Sequence, residues 1–246
     1  MTVKIFKAHK LSKPGDGPIS RYLNRWLSTL VTRALLKRNI TPNQFSIVIS
    51  LISIPMLVAG MYGSIVIVGI ILQLASVLDG VDGEIARTKY LTSKFGALLD
   101  TVLDYWIDSL GILALGLALL KRDMLTSSLI IFLVTFTVTV RLISQFVVKM
   151  APCKKPHVLG DTRDVITFMI FISCILTELI GPWCLVIVLL IVNGWRLDNM
   201  IYRLLISWRT AYHSSQSEVL QQTPSGNSSE IVSKPAYISE KNIKIK

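Results

Sequence analysis

The chain has 246 residues, 52% of them apolar, and a formal net charge of +11. Its apolar residues are concentrated in runs of about 20, the length that crosses a bilayer, which excludes a single soluble globular domain. The positive charge does not predict nucleic-acid binding, because the basic residues gather beside the apolar runs instead of forming one basic face. The composition therefore predicts an all-α integral membrane protein.

Two segments precede the apolar runs. Residues 1–17 are a polar, basic lead-in without an early apolar core, so we expect no cleavable signal peptide. Residues 18–39 predict an amphipathic helix on the membrane surface, because apolar residues recur at helical spacing between basic and polar ones. The alternative is a helix that packs on the domain as it would in a soluble protein. The apolar positions are Leu23, Trp26, Leu27, Leu30, Val31, Ala34 and Leu35.

Six apolar runs follow, and each predicts a transmembrane helix of one domain over residues 40–212. Thr41 and Pro42 open the first helix, since proline suits the first turn and threonine can cap it. After residue 212 the chain turns to Ser, Gln, Asn and Lys, so residues 213–246 predict a disordered tail. The runs lie near 43–62, 64–83, 96–120, 124–148, 164–182 and 183–206.

The distribution of basic residues predicts the orientation in the cell membrane. Nine of the 26 Lys and Arg residues precede Ile40, and others lie between the second and third runs and between the fourth and fifth. The loops on the opposite side hold only Lys121 and Arg122. By the positive-inside rule, we expect both termini and the loop after the second run to face the cytoplasm.

An acidic motif bridges the second and third runs. It reads D-x-x-D-G-x-x-A-R, then eight residues, then G-x-x-x-D-x-x-x-D. At these spacings the fixed residues of each helix share one face. The first face holds Asp79, Asp82, Gly83 and Ala86, and the second holds Gly96, Asp100 and Asp104.

If these faces meet, four aspartates converge at a membrane boundary, where uncompensated charge costs several kcal/mol. Magnesium prefers a few carboxylates together with substrate phosphates, and a pair of metals can stabilise displacement at phosphorus. Arg87 offers a bidentate partner for phosphate, and the glycines permit close approach to the backbone. One or two such acids could be helix caps or solvated residues. The number of matched positions favours a site for two divalent cations, Mg²⁺ or Mn²⁺.

The motif resembles the signature of the CDP-alcohol phosphotransferase family, also called class-I CDP-alcohol phosphatidyltransferases, at every fixed position. The resemblance covers most of residues 18–210 and implies a homodimeric membrane enzyme that moves a phosphoalcohol unit from a CDP-linked donor to an acceptor hydroxyl, releasing CMP. It implies that Asp79, Asp82 and Asp100 bind two metals. Asp104 would complete the second metal site and deprotonate the acceptor. Nucleotide contacts are implied for Pro42, Asn43, Gly83, Arg87 and Ser93, and we assign the shallow surfaces at Ala86 and Gly96 to the same site.

The lead-in carries a second resemblance. Between residues 13 and 25 the chain reads K-P-x-D-G, then I-S-R and L-N-R, which is similar to prokaryotic di-myo-inositol-phosphate-phosphate synthases. Together with the basic loop after the fourth run, that resemblance suggests an anionic acceptor, with inositol phosphate first and glycerol phosphate second. The alternative is a phospholipid synthase that uses CDP-diacylglycerol or CDP-archaeol with glycerol phosphate or serine.

Basic residues near the motif are candidates for binding the acceptor. Lys154 and Lys155 lie in the loop after the fourth run, where they either reflect only the positive-inside rule or dock a phosphorylated acceptor. Arg163 enters the fifth run and is the strongest candidate. Arg141 lies about 12 Å inside the fourth run, where it either pairs with Asp108 or reaches the acceptor.

A rival function from another class is ion or proton transport, since acids within membranes also mark such paths. A transporter predicts acids spread through the depth of the bilayer. Here they gather at one side, beside glycines and an arginine suited to phosphate, which favours the transferase.

Overall fold

The structure is a computed structural model, and it describes residues 19–36, 38–151 and 162–222. All regular secondary structure in these residues is helical, beginning with a π-helical turn at Ser20–Asn24. Eight α-helices follow: α1 Arg25–Leu36, α2 Pro42–Ser50, α3 Ser53–Met61, α4 Ile65–Thr88, α5 Lys94–Lys121, α6 Ser127–Met150, α7 Arg163–Leu179 and α8 Trp183–Gln222.

Five stretches of the described residues are long and apolar enough to cross a membrane. The fifth predicted run forms α7, which has only 17 residues and is not among them. At 1.5 Å per residue, α7 is about 26 Å long, slightly less than the hydrocarbon thickness of a typical bilayer. The five stretches are Pro42–Met61, Ile65–Thr88, Lys94–Lys121, Ser127–Met150 and Trp183–Tyr212.

The first predicted helix is interrupted. Thr41 caps α2 as expected: its hydroxyl accepts a hydrogen bond from the Gln44 amide, and the Gln44 side chain accepts one from the Thr41 amide. Leu51 and the residue after it then separate α2 from α3. The break lies just before Pro55, which has no N–H to donate to the Leu51 carbonyl and whose ring crowds it. The run predicted near 43–62 thus corresponds to the candidate span Pro42–Met61, with a break that was not predicted.

The last helix is longer than predicted. The expected tail begins at residue 213, whereas α8 continues to Gln222. Residues 213–222 contain neither glycine nor proline, and the first helix breaker beyond them is Pro224. The rest of the expected tail, residues 223–246, lies outside the described residues, as does the lead-in. The chain divides into two compact units, Met1–Leu205 and Ile206–Lys246, and every residue of the candidate site described below belongs to the first.

The first unit has an apolar core and an apolar outer surface. The core is shared by α3, α4, α5 and their neighbours, with Met56, Leu72 and Leu115 among its most buried side chains. Large apolar side chains are also exposed along the helices, such as Phe132 and Phe146 of α6. An apolar exterior of this extent is typical of a surface that faces lipid.

The π-helical turn and α1 together form the N-terminal segment, residues 20–36, which contacts α4 through its polar side chains. The buried residues of the segment are polar or charged, whereas Trp26 and Leu30 are 63% and 50% exposed. A helix that packs on a soluble domain buries its apolar stripe, so this arrangement is the reverse of the ordinary one. The buried polar residues are Asn24, Arg25, Ser28, Thr29 and Thr32.

Candidate active site

The two acidic faces of the motif meet between α4 and α5. Asp79, Asp100 and Asp104 each bring a carboxylate oxygen within 4.8 Å of those of the other two. Asp82 lines the same small cavity, together with Ser46 of α2. The i, i+3 and i, i+4 spacings in the sequence produce this convergence, because each pair of aspartates lies on one face of its helix.

Asp82 has a further partner on α2. It is buried, and its Oδ2 accepts a hydrogen bond of 2.5 Å from the Ser46 hydroxyl, while the Gly83 amide donates to its Oδ1. Sequence reasoning missed Ser46. The signal available was a small polar residue one turn after Pro42, on the same face of an apolar helix.

The donor set fits a hard divalent cation. Carboxylate oxygens are the ligands that Mg²⁺ and Mn²⁺ prefer, and three lie close together here at the edge of a cavity. Like charges held this near one another repel unless a cation lies among them.

Arg163 contacts this acidic cluster directly. Its Nη1 lies 2.6 Å from Asp104 Oδ1 and 3.0 Å from Asp79 Oδ1. Its Nε and Nη2 donate to Asp108 Oδ1 at 3.2 and 3.1 Å. The sequence predicted Arg163 near the acceptor, and the structure places it against Asp104, the residue assigned as the base.

Arg141 also contacts Asp108. Its Nη2 donates to Asp108 Oδ2 at 2.7 Å, and its guanidinium lies 5.2 Å from the centroid of the Tyr105 ring. The structure thus has the pairing that was one of the two alternatives for Arg141. Asp108 therefore accepts from two arginines, and a cavity beside them is lined by Arg141, Arg163 and Arg196.

The expected nucleotide residues lie at three helix ends. Pro42 and Asn43 begin α2, and Ser93 caps α5 by accepting a hydrogen bond of 2.9 Å from the Gly96 amide. A Cβ at Gly96 would lie 3.0 Å from Asn43 Oδ1 and 3.1 Å from Ser93 Oγ, so these three residues are in close contact. Gly83, Ala86 and Arg87 lie near the end of α4. Lys154 and Lys155 lie outside the described residues.

Sequence reasoning also missed Glu84, which is fully buried within the motif. Its carboxylate accepts hydrogen bonds from Arg25, Ser28 and Thr32 at 2.8, 2.8 and 2.6 Å. One available signal was a glutamate near the end of an apolar helix, where a buried charge needs a cation as partner. The other was a basic residue on α1.

Residues 39–195 match the family model described as CDP-alcohol phosphatidyltransferase. The chain belongs to this family. The resemblance noted in the motif is thereby confirmed, and the match extends over the first four candidate spans, α7 and about the first third of α8.

Several curated relatives share part of the sequence. A bifunctional IPC transferase and DIPP synthase of Thermococcus kodakarensis is 44% identical over 94 residues, which are 38% of this chain and 21% of the relative. One of Archaeoglobus fulgidus is 30% identical over 69% of this chain and 34% of its own. An archaetidylinositol phosphate synthase of Pyrococcus horikoshii is 33% identical over 37% and 49%. The chain thus spans less than half the length of each of these relatives.

Solved structures share the fold. The phosphatidylinositol phosphate synthase of Mycobacterium tuberculosis with CDP-DAG bound superposes with a TM-score of 0.63 at 18% identity, over 74% of this chain and 94% of that one. The same synthase in complex with manganese and citrate gives 0.63 at 16% identity, over 74% and 88%. At this identity the likeness shows the fold alone, an all-α multi-pass membrane protein.

Proposed function

We propose that this chain is a metal-dependent membrane transferase that moves a phosphoalcohol unit from a CDP-linked donor to an acceptor hydroxyl and releases CMP. The observation that carries this proposal is the convergence of Asp79, Asp100 and Asp104 in a member of this family. The names of the IPC transferase and DIPP synthase relatives support an inositol-phosphate unit as donor group, and inositol phosphate as acceptor.

Asp79, Asp82, Asp100 and Asp104 would hold two divalent cations, Mg²⁺ or Mn²⁺. Manganese in the structure of the mycobacterial synthase supports this assignment. When bound, the cations supply positive charge to the donor's pyrophosphate and to the leaving CMP. Ser46 holds Asp82 in place, a role comparable to that of other residues that orient metal ligands.

Asp104 takes the proton of the acceptor hydroxyl. The acceptor oxygen then forms a bond to the donor phosphorus that carries the alcohol, and the bond from that phosphorus to the CMP oxygen breaks with its electrons on CMP. Arg163 lies 2.6 Å from Asp104 and therefore contacts the carboxylate assigned as the base.

The nucleotide would lie along the ends of α2, α4 and α5. Close contact among Asn43, Ser93 and Gly96 supports this placement. The side-chain oxygens of Asn43 and Ser93 both lie beside Gly96, at distances that a Cβ at residue 96 would crowd. Arg87 would contact a phosphate. The full set is Pro42, Asn43, Gly83, Ala86, Arg87, Ser93 and Gly96.

The acceptor would occupy the side of the site near α6 and α7. Arg141 and Arg163 line a cavity that adjoins Asp104 through Asp108, and their charges suit a phosphorylated alcohol. Lys154 and Lys155 would add charge at its entrance. Inositol phosphate is the first candidate and glycerol phosphate the second.

In the membrane, α7 would form the fifth of six spans, and the N-terminal segment would lie at the interface with its exposed Trp26 and Leu30 toward lipid. The basic loops favour an orientation with the site and both termini facing the cytoplasm. The chain would form a homodimer. Its parts are the lead-in 1–17, the interfacial helix 18–39, the catalytic domain 40–212 and the tail 213–246, of which 213–222 continue α8.

A second candidate is a phospholipid synthase that uses CDP-diacylglycerol or CDP-archaeol with glycerol phosphate or serine. The archaetidylinositol phosphate synthase among the relatives favours it, as does the CDP-DAG bound to the mycobacterial enzyme. The two candidates share the acidic site and differ in the donor and in the acceptor.

The experiment that decides between them supplies purified protein with Mg²⁺ and a panel of donors and acceptors, and measures CMP release and product mass. We expect CDP-inositol with inositol phosphate to give a phosphodiester of two inositol phosphate units. The Asp79→Asn variant is the negative control. Product from CDP-diacylglycerol alone would favour the second candidate. CMP release by neither donor would contradict the proposed function.

A further inference from the structure

The motif segment of α4 has a second polar face, distinct from the one that carries the aspartates. Gln73, Ser76, Gly80 and Glu84 follow one another at intervals of three or four residues, which places them along one side of the helix. All four contact the N-terminal segment: Gln73 donates to Asn24 at 3.3 Å, Asn24 to Ser76 at 3.5 Å, and Arg25 to the Gly80 carbonyl at 3.5 Å and to Glu84 at 2.8 Å.

Glu84 is the centre of this contact. Its side chain is 0% exposed and that of Arg25 is 6% exposed. The Ser28 and Thr32 hydroxyls complete its hydrogen bonds. A buried carboxylate is tolerated only with a paired cation and satisfied oxygens, and Glu84 has both.

Gly80 makes room for the arginine. A Cβ at residue 80 would lie 3.1 Å from Arg25 Nη1, tighter than most contacts of a real Cβ. Gly80 is the residue after Asp79 and lies two before Asp82. The guanidinium of Arg25 therefore lies against the backbone of α4 within the acidic motif, on a face about 100° around the helix from Asp79.

The same segment is tied to α7. The Ser20 amide donates to Asp164 Oδ2 at 2.6 Å, and Asp164 is the neighbour of Arg163. The Thr167 hydroxyl donates to the Ser76 hydroxyl at 3.0 Å. The N-terminal segment thus contacts the two helices whose side chains meet at Asp79, namely α4 and α7.

We propose that Glu84 and Arg25 are positioning residues: their buried ion pair sets the rotation and depth of α4, so that Asp79 and Asp82 face α5. The proposal rests on the proposed function for its link to metal binding. A metal site needs its ligands within about 0.5 Å of their productive places, and a misplacement of roughly 1 Å can cost about 100-fold in rate. Glu84 would act through the helix and touch no substrate.

The test separates position from stability in the full-length protein. Glu84→Leu leaves Arg25 buried without its partner, so we expect a lower Tm and weaker Mn²⁺ binding. The double variant Arg25→Met with Glu84→Leu replaces the pair by apolar side chains and should regain the wild-type Tm. We expect it to bind Mn²⁺ at least about 10-fold more weakly, as is usual when support of a metal ligand is lost. Electron paramagnetic resonance of free Mn²⁺ and a thermal melt measure the two quantities.

A milder pair of variants applies if the double variant does not fold. Thr32→Val removes a donor to Glu84, whereas the matched Thr29→Val removes only a hydrogen bond to the Arg25 carbonyl within α1. We expect Thr32→Val alone to weaken Mn²⁺ binding, by a few-fold. Wild-type Mn²⁺ affinity in the double variant, or in Thr32→Val when the double variant is unfolded, would overturn the positioning role.

Hydrogen exchange of the α4 amides keeps this proposal distinct from the proposed function. In the double variant at wild-type Tm, we expect faster exchange over residues 79–87, because the ion pair that joins α4 to α1 is gone. Unchanged exchange would contradict the proposal. If exchange rises but the wild-type protein binds no Mn²⁺, the proposed function fails and the positioning of α4 stands.

Discussion

The two polar faces of α4 carry charge in different ways. On one face, Asp79 lies within 4.8 Å of Asp100 and Asp104, and Arg163 contacts two of the three. On the other, Glu84 accepts hydrogen bonds from Arg25 and two hydroxyls. Several carboxylates gathered around one guanidinium favour a further cation, whereas one carboxylate with three donors is already compensated. The first face is suited to binding and the second to holding the helix.

Breaking the acidic face should have the largest effect. We expect Asp79→Asn or Asp100→Asn to abolish CMP release while the protein still inserts and melts at a similar temperature, because each removes a charged metal ligand. Chelation by EDTA should stop the wild type, and added Mg²⁺ or Mn²⁺ should restore it. Asp123→Asn, in the turn between α5 and α6, is the matched control and should retain activity. Full activity in excess chelator would contradict the metal site.

Asp104→Asn should separate chemistry from binding. Loss of a general base lowers kcat by about 10²–10⁴-fold, and lost metal charge would add to that. Donor affinity should change far less, and equilibrium binding of CDP measures it. Arg87→Lys should instead weaken binding of the CDP-linked donor, because the point charge of lysine replaces the planar guanidinium, which can bind a phosphate through two hydrogen bonds. Near-normal turnover by Asp104→Asn would assign the base to another group.

Arg163→Ala should have an intermediate effect, mainly on the acceptor. Removal of a charge-assisted hydrogen bond costs about 1.5–3 kcal/mol, so we expect KM for inositol phosphate to rise roughly 10- to 150-fold. Steady-state kinetics with each substrate varied in turn would show little change in KM for the donor. Arg122→Ala, whose exposed partner is Glu178, is the control. If free inositol or serine were used at a normal rate, and Arg163→Ala did not change that rate, the proposal of an anionic acceptor would be contradicted.

Ser46→Ala should have the smallest effect. It removes the hydroxyl that donates to Asp82. Loss of a residue that supports a metal ligand lowers metal affinity by about 10-fold at the lower end of the usual range. Ser50→Ala is matched to it, since the Ser50 hydroxyl donates only to the Ile47 carbonyl of its own helix. Mn²⁺ titration of both variants measures the difference. Equal affinity in the two would mean that Ser46 does not support the metal ligand.

The sequence predicts the acidic face well because its information is local. The spacing of Asp79, Asp82, Asp100 and Asp104 places each pair on one side of a helix, and the short loop between the helices brings those sides together. The break in the first span was not predicted, although Pro55 lies in the middle of that run.

The face of α4 that carries Glu84 could not be predicted in the same way. Glu84 and Arg25 lie 59 residues apart, and helical periodicity does not say which polar residues of two helices meet. The amphipathic pattern of α1 also predicts an apolar contact in a soluble protein, whereas in this fold its polar residues are the buried ones. Arg163 shows the same limit: its basic charge suggested an acceptor contact, and its bond to Asp104 depends on the packing of α7.

Mn²⁺ binding to the purified full-length protein tests the central claim most directly. Electron paramagnetic resonance in the presence of CDP should show two Mn²⁺ ions bound per chain with spin coupling between them. The Asp79→Asn and Asp100→Asn variants should lose this signal, and Asp123→Asn should keep it. Absence of bound Mn²⁺ in the wild type, or equal binding in all four proteins, would contradict a metal site on the acidic face of α4.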